Sequence, residues 1–113
     1  MDDEQFTLEI SKFNDEWPLL ILSGNFCSKN VRLIQRHLDR YFSHNAEIIV
    51  YIDLTNVKFM DSPGLGTIVY FHTLFHKKKR QLILINNSNK NTYLSRMFEA
   101  TNLDKVLNII QTN

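Results

Sequence analysis

The alternation of apolar and polar positions near the start of the chain predicts a β-hairpin. Residues 6–10 alternate strictly, as expected for a half-buried strand. The turn-forming residues 14–16 and the apolar run 19–22 follow, so a second strand is expected to pair with the first. Pro18 cannot donate to a strand ladder, and we therefore expect it at the start of that strand or on a sheet edge.

Three further apolar runs predict the rest of the sheet. Residues 48–54 are apolar at nearly every position except Asp53, which is typical of a central strand covered on both faces or nearly so. A turn is predicted at Thr55-Asn56. Residues 81–86 and 106–110 are shorter apolar runs and predict two more strands.

Helical periodicity separates these runs. The first helix is predicted over residues 29–42 with Ser28 as N-cap, after a loop at 23–28; the second over 63–77; and the third over 91–100. A helix between two strands predicts a βαβ unit with parallel strands. The residues expected on the buried faces are Val31, Ile34, Leu38 and Tyr41 or Phe42 in the first helix, Leu65, Ile68, Val69, His72 and Phe75 in the second, and Leu94, Met97 and Phe98 in the third.

The junction before the second helix carries the main candidate residue, Ser62. Pro63 suits the first position of a helix and forces the preceding residue into extended backbone, which is the geometry of an N-cap. We therefore predict that Ser62 is the N-cap with its hydroxyl at the surface, with Asp61 as the alternative cap. Gly64 and Gly66 add no bulk, so another protein could approach the hydroxyl closely. A purely structural cap remains the competing interpretation.

Composition limits the classes of protein. The chain has 113 residues, 43% of them apolar, and a net charge of +1, which predicts one folded domain over residues 1–113 without strong attraction to nucleic acid or anionic membranes. A lone Cys27 excludes an internal disulfide and indicates a reducing compartment. The start of the chain is acidic rather than signal-like, and no segment is apolar enough for membrane insertion. We expect a cytoplasmic protein.

Catalytic and metal sites are not favoured by the sequence. None of the four histidines, His37, His44, His72 and His76, lies in an evident position to activate a serine nucleophile. His72 and His76 have the i, i+4 spacing of metal ligands but no obvious third ligand, so His72 is interpreted as a core-edge residue. Lys77-Lys78-Lys79-Arg80 is interpreted as a solvated helix end rather than a nucleic-acid contact. We predict a non-enzymatic protein without a metal or other cofactor.

The segment 61–66, Asp-Ser-Pro-Gly-Leu-Gly, resembles the Asp-Ser-Ser-Gly-Leu-Gly signature of STAS domains. With Phe59-Met60 and the apolar strand before it, the segment is most similar to bacterial anti-sigma-factor antagonists. The likeness extends along nearly the whole chain, from Leu22-Ser23-Gly24 to residues 103–106. It implies an α/β fold in which a small mixed sheet of about four or five strands, an N-terminal hairpin plus parallel strands, is covered by about three or four helices.

The resemblance also implies a function as a partner-switching protein. Such a protein binds an anti-sigma factor that is also a GHKL-type serine kinase, and is controlled by phosphorylation of Ser62 that a serine phosphatase reverses. Pro63 replaces the second serine of the signature, and phosphate contacts would fall to the N–H groups of Gly64 and Leu65. Relatives carry an acidic residue before the first helix, where this chain has Asn25 and Cys27. The residues expected at the partner surface are Asn25, Asp61, Ser62, Pro63, Gly64, Leu65 and Gly66.

Two alternative functions stay open at this point. The chain could be an accessory STAS subunit of a lipid or anion transporter. It could bind a small nucleotide at the Ser62 helix terminus. Among partners, a weak homodimer is a further expectation.

Overall fold

The computed structural model describes residues 5–113. The acidic start of the chain, residues 1–4, lies outside the described part. The elements in chain order are β1 (Phe6–Phe13), β2 (Trp17–Phe26), α1 (Val31–His44), β3 (Ile49–Met60), α2 (Ser62–Lys77), β4 (Gln81–Asn87), α3 (Thr92–Ala100), a single 3₁₀ turn (Leu103–Lys105) and β5 (Asn108–Thr112). None of the helices in this part of the chain is long and apolar enough to span a membrane.

The sheet is mixed and its strands lie in sequence order, β1-β2-β3-β4-β5. β1 and β2 are antiparallel, and every later pair is parallel. The hairpin turns through Asn14 and Asp15, whose φ angles of 52° and 56° lie in the left-handed region that these residue types tolerate best. The predicted fold class is confirmed: residues 5–113 form five strands, with an N-terminal hairpin, and three α-helices.

The core lies on one face of the sheet. Burial alternates along β2, β3 and β4, and the buried set packs against the apolar stripes of the three helices. The opposite face of β3 is only half-buried at Tyr51 and Asp53, where the ring of Phe13 stacks on Tyr51 at 4.0 Å. The prediction that β3 is covered on both faces, or nearly so, therefore holds fully for the core face, whereas the second face is only half-buried. The apolar residues there shield one another across neighbouring strands, without a helix above them.

Two central strands run further than predicted. β2 continues through residues 23–26, which were expected to form a loop, and β3 continues through Thr55-Asn56, which were expected to turn. The extensions pair with each other in parallel, with register irregularities after Ile21 and Gly24. Gly24 has φ +96°, and a Cβ there would lie 2.3 Å from the carbonyl oxygen of Gln5. The polar residues that resembled turns are thus accommodated by bulges inside strands.

The helices are shifted slightly from their predicted bounds. α1 begins after Asn30 rather than Ser28, since residues 27–30 form a turn that Asn30 and Val31 close onto the carbonyl of Cys27. In α1, Val31 and Tyr41 are half-buried beside the fully buried stripe, and Cys27 before it is buried. β5 starts two residues later than predicted because the 3₁₀ turn precedes it.

α2 is rotated relative to the predicted face. Leu65, Val69 and His72 are half-buried rather than central, because Gly64 at the start of the helix is packed against β2. In α3, Met97 is half-buried and Leu94 and Phe98 lie in the core as predicted. The buried residues of α2 are Gly64, Thr67, Ile68, Phe71 and Phe75.

A candidate docking site at the start of helix α2

Asp61, not Ser62, is the N-cap of α2. Its backbone is extended (φ −101°, ψ −175°), and its Oδ1 accepts the N–H of Gly64 at 3.0 Å. The Asp61 carbonyl accepts the N–H of Leu65 at 2.9 Å. The prediction that Ser62 is the cap is therefore wrong, and the alternative with Asp61 is confirmed. The Asp61 carboxylate, one residue before Ser62, reaches the N–H of Gly64, the third residue of the helix. Ser62 is therefore the first residue of the helix and Pro63 the second.

The second carboxylate oxygen of Asp61 ties α2 to the start of α1. Oδ2 accepts the N–H of Ser28 at 2.8 Å, and the N–H of Asp61 donates to the carbonyl of Phe26 at 3.3 Å. Ser28 thus contributes its backbone to this junction and does not cap α1, contrary to the prediction. The link joins residues 33 positions apart, a separation at which local sequence patterns give no signal.

The two glycines of the signature have different surroundings. Gly64 is buried, and a Cβ there would lie 2.1 Å from the carbonyl oxygen of Phe26. Gly66 is exposed, and a Cβ there would meet nothing within 4 Å. Gly64 therefore permits close packing of α2 on β2, whereas Gly66 leaves open space one helical turn above Ser62.

The hydroxyl of Ser62 is free of hydrogen-bonding contacts with residues 5–113. Ser62 and Pro63 are both exposed, and the Ser62 side chain forms no hydrogen bond with any residue of the described part. By contrast, Thr67 one turn later is buried and donates its hydroxyl to the carbonyl of Pro63 at 3.0 Å. Within the described residues, Ser62 thus offers the one unengaged hydroxyl of the first two turns of α2.

An aromatic pair, Phe59 and Tyr93, lies on the other side of the junction. Tyr93 comes from α3 and donates its hydroxyl to the carbonyl of Met60 at 2.8 Å. Its ring is parallel to that of Phe59, with centroids 6.4 Å apart, and the two side chains are 42% and 46% exposed. Sequence reasoning missed this contact. The signal was the parallel order of β3 and β4, which places the start of α3 beside the end of β3.

Asn25 reaches the same edge through the strand register. It pairs with Phe59, one residue before the Phe26–Met60 pair whose ends contact Asp61. Its carbonyl accepts Nδ2 of Asn30 at 2.8 Å, and its side chain is half-buried. The structure therefore brings Asn25 and residues 61–66 together at the carboxyl edge of the sheet.

None of the histidine contacts found within residues 5–113 involves Ser62. His72 and His76 stack with centroids 6.5 Å apart, and His37 packs edge-on against Phe6. Burial, and secondarily the charge of His76, lower the pKa of His72 below its ordinary value. Between residues 5 and 113, no group of three or more His, Cys, Asp or Glu side chains could hold a metal ion.

Comparison with known proteins gives a consistent picture. Residues 10–113 match the model of the STAS domain family. A curated relative, the anti-sigma-B factor antagonist of Listeria monocytogenes, is 37% identical over 62 residues, or 55% of this chain and 52% of the relative. The alignment thus spans about half the length of that relative.

Solved structures share the fold. An anti-sigma factor antagonist from Mycobacterium paratuberculosis has a TM-score of 0.73 at 17% identity, over 93% of this chain and 85% of that one. The Bacillus cell fate determinant SpoIIAA in its phosphorylated form has a TM-score of 0.67 at 17% identity, over 95% and 92%. At these identities the likeness shows the fold, and the family match covers nearly all of the sequence. The chain therefore belongs to the STAS domain family.

Proposed function

We propose that the chain is an anti-sigma factor antagonist, a non-enzymatic protein that binds an anti-sigma factor and is controlled by reversible phosphorylation at Ser62. The observation that carries the proposal is the free, exposed hydroxyl of Ser62 at the start of α2. The name of the Listeria relative, an anti-sigma-B factor antagonist, supports the choice of partner. The partner surface comprises Ser62 with its exposed neighbours Pro63 and Gly66, and Asn25 and Asp61 at its margin.

The phosphoryl acceptor is unambiguous in this proposal. Pro63 stands where the signature has a second serine, and Thr67 is buried and hydrogen-bonded. A GHKL-type serine kinase transfers the γ-phosphoryl group of ATP: the bond from Ser62 Oγ to phosphorus forms, the bond to ADP breaks, and the hydroxyl proton passes to a base of the kinase. A serine phosphatase hydrolyses the ester. Asp61 accepts two backbone N–H groups, so it positions Ser62.

The phosphate would remain on the contact surface. The N–H groups of Gly64 and Leu65 were expected to hold it, but both already donate to Asp61. The helix terminus still tolerates an anion. The added charge of about −1.5 to −2 therefore faces an approaching protein next to the Asp61 carboxylate. Desolvating it needs to cost only about 3 kcal/mol to weaken binding more than about 100-fold.

Titration calorimetry with the anti-sigma factor from the same genome tests the switch. We expect Ser62→Glu to bind at least about 30-fold more weakly than the wild type, because it places a negative charge on the contact surface. The expected loss is smaller than the roughly 100-fold for phosphoserine, since glutamate carries less charge. Ser62→Ala should bind as the wild type does and should accept no phosphoryl group from the kinase and ATP in an intact-mass assay.

Thr73→Glu is the matched control. Thr73 is exposed on the same helix, about 16 Å beyond Ser62 at 1.5 Å per residue. The same new charge at that position should leave the affinity within about threefold of wild type, since it lies about two Debye lengths away at physiological salt. Equal affinities for Ser62→Glu and Ser62→Ala would contradict the proposal.

The two alternative functions stay predictions. A nucleotide-binding module would show a rise in melting temperature with millimolar ATP or GTP. A transporter subunit would bind its membrane partner irrespective of the charge at position 62. Either result, combined with no binding to the anti-sigma factor, would replace the proposal above.

A further inference from the structure

The outward face of α1 carries a row of three arginines, Arg32, Arg36 and Arg40. All three are exposed and lie opposite the buried stripe of the helix. They recur every fourth residue, so their Cα atoms are about 6 Å apart along the axis and the row is about 12 Å long. We refer to these three residues as the arginine ridge.

The ridge has no structural task within the described residues. None of its guanidinium groups forms a hydrogen bond or ion pair with residues 5–113. Arg80 shows what a structural arginine looks like in the same protein. Its Nε and one terminal nitrogen donate to the carbonyls of Glu47 and Asn45 at 2.8 and 3.0 Å, and it lies 4.2 Å from the centre of the Phe75 ring.

The ridge begins in the first turn of α1, and the start of that helix is joined to the start of α2. The hydrogen bond between Asp61 and the N–H of Ser28 joins the starts of α1 and α2, and Arg32 lies in the first turn of α1. The two helices then run side by side, with the ring of Phe42 packed against Phe71 and Phe75. A protein that covers Ser62 therefore lies close to the start of α1, from which the ridge extends.

We propose that the arginine ridge is a second contact surface for the protein that docks at Ser62, and that the matching surface of that partner is acidic. The inference rests on the proposed function. Arginine binds carboxylates bidentately. On an acidic helix, carboxylates at every fourth residue have the same spacing of about 6 Å as the arginines of the ridge. The partner is thus expected to present such a row of Asp or Glu.

A protein partner fits the surroundings better than nucleic acid or a membrane. The chain has a net charge of only +1, whereas nucleic-acid-binding domains are usually basic as a whole. Leu33, 43% exposed, adjoins the ridge, and Asp39 is exposed on the same helix. Arginine mixed with apolar side chains is typical of protein interfaces.

The ridge would also sharpen the switch at Ser62. An acidic partner surface attracted by the arginines is repelled by a phosphate one helix away, so a single partner surface senses both. Unphosphorylated protein would associate quickly and in a salt-dependent manner, because opposite charges steer encounter. Phosphorylation would cancel much of that attraction as well as block the site.

The test compares two double variants with equal changes in charge. Arg32→Glu/Arg36→Glu reverses the part of the ridge nearest Ser62, and Lys77→Glu/Lys78→Glu reverses two exposed cations at the far end of α2. We expect the ridge variant to bind the anti-sigma factor about 30-fold more weakly, mainly through slower association, with a flatter dependence on salt between 50 and 300 mM. The lysine variant should stay within about threefold of wild type. All affected side chains are exposed, and circular dichroism checks that both variants fold.

The failure of this inference differs from the failure of the proposed function. If the ridge and lysine variants bind equally while Ser62→Glu still binds more weakly than the wild type, the ridge is not a contact surface and the switch stands. If the wild type does not bind the anti-sigma factor, a helical peptide with glutamate at every fourth position, a DNA duplex and phosphatidylserine vesicles are titrated instead. Ridge-dependent binding of the peptide supports the inference, whereas ridge-dependent binding of DNA or vesicles alone, or no binding of any of the three, overturns it.

Discussion

Helices α2 and α3 begin in the same way but leave their first residues in different states. Each follows a parallel strand and starts with an Asx cap, Asp61 or Asn91. In each, the side-chain Oδ1 accepts the N–H three residues later, from Gly64 at 3.0 Å or Leu94 at 3.1 Å. The first helical residue after each cap carries a hydroxyl. The two junctions are therefore near copies in local chemistry.

The difference lies in what the hydroxyl and the cap contact. Thr92 donates its hydroxyl to the carbonyl of Ser88 at 3.2 Å, whereas Ser62 has no such bond within the described residues. Asn91 is buried, and its Nδ2 donates to the carbonyls of the bulged part of β3, the shortest bond being 2.7 Å to Val57. The α3 junction is thus closed by its own contacts. The α2 junction is also held by hydrogen bonds, those that Asp61 accepts from Ser28 and Gly64, but its hydroxyl stays available. An available hydroxyl is the feature expected of a modifiable docking site.

The largest expected effect comes from the third helical position. Gly64→Ala would place a Cβ 2.1 Å from the Phe26 carbonyl oxygen, which belongs to the backbone and cannot move aside cheaply. We expect the free energy of unfolding to fall by about 3 kcal/mol, at the upper end of overpacking effects. The α3 junction has Leu94 at this position, so the requirement for glycine is specific to α2. Urea denaturation measures the change.

Gly66→Ala provides the control. It lies in open space in the same helix, and alanine should stabilise the protein by about 0.5–1 kcal/mol. If both substitutions changed the free energy of unfolding in the same direction, the close approach of α2 to β2 would not be what requires glycine at position 64.

The caps give the next largest effect. Asn91→Ala removes the cap of α3 together with the hydrogen bonds that its Nδ2 donates to buried carbonyls of β3, so we expect a loss of about 2–3 kcal/mol in unfolding free energy. Asp61→Ala removes two hydrogen bonds from a more exposed position and should cost about 1–1.5 kcal/mol. Thermal denaturation of the two variants side by side measures the ranking. A reversed ranking would mean that the α2 junction carries the greater structural load.

The sequence predicted most of the fold because its signals are local. The hairpin, the three helices and the parallel order of the later strands follow from periodicity and turn residues, and the structure confirms them. The strand extensions at 23–26 and 55–56 were missed, since their polar residues resemble turns and only the register between two distant strands keeps them extended. The rotation of α2 likewise depends on a contact between Gly64 and Phe26 that no local pattern encodes.

The candidate site stays a prediction, and the sequence misassigned the cap within it. The signature directed attention to residues 61–66, yet the capping role was assigned to Ser62. Serine and aspartate are both favoured N-caps, and proline is tolerated throughout the first turn, so these preferences do not distinguish a cap at Asp61 from one at Ser62. The link from Asp61 to Ser28 and the contact of Tyr93 with Met60 join separate elements. Such contacts need the sheet order before they can be inferred.

The smallest predicted effect tests the comparison most directly. Thr92→Val keeps the branched shape and removes a hydroxyl that donates to Ser88, so it should lower the free energy of unfolding by about 0.5–1 kcal/mol. Ser62→Ala removes a hydroxyl without a partner in the described residues and should leave the unfolding free energy unchanged within about 0.3 kcal/mol. Replicate urea titrations of both variants resolve this difference. If Ser62→Ala were as costly as Thr92→Val, the Ser62 hydroxyl would be held by the protein itself, and the α2 junction would be a second closed helix start rather than one with an available hydroxyl.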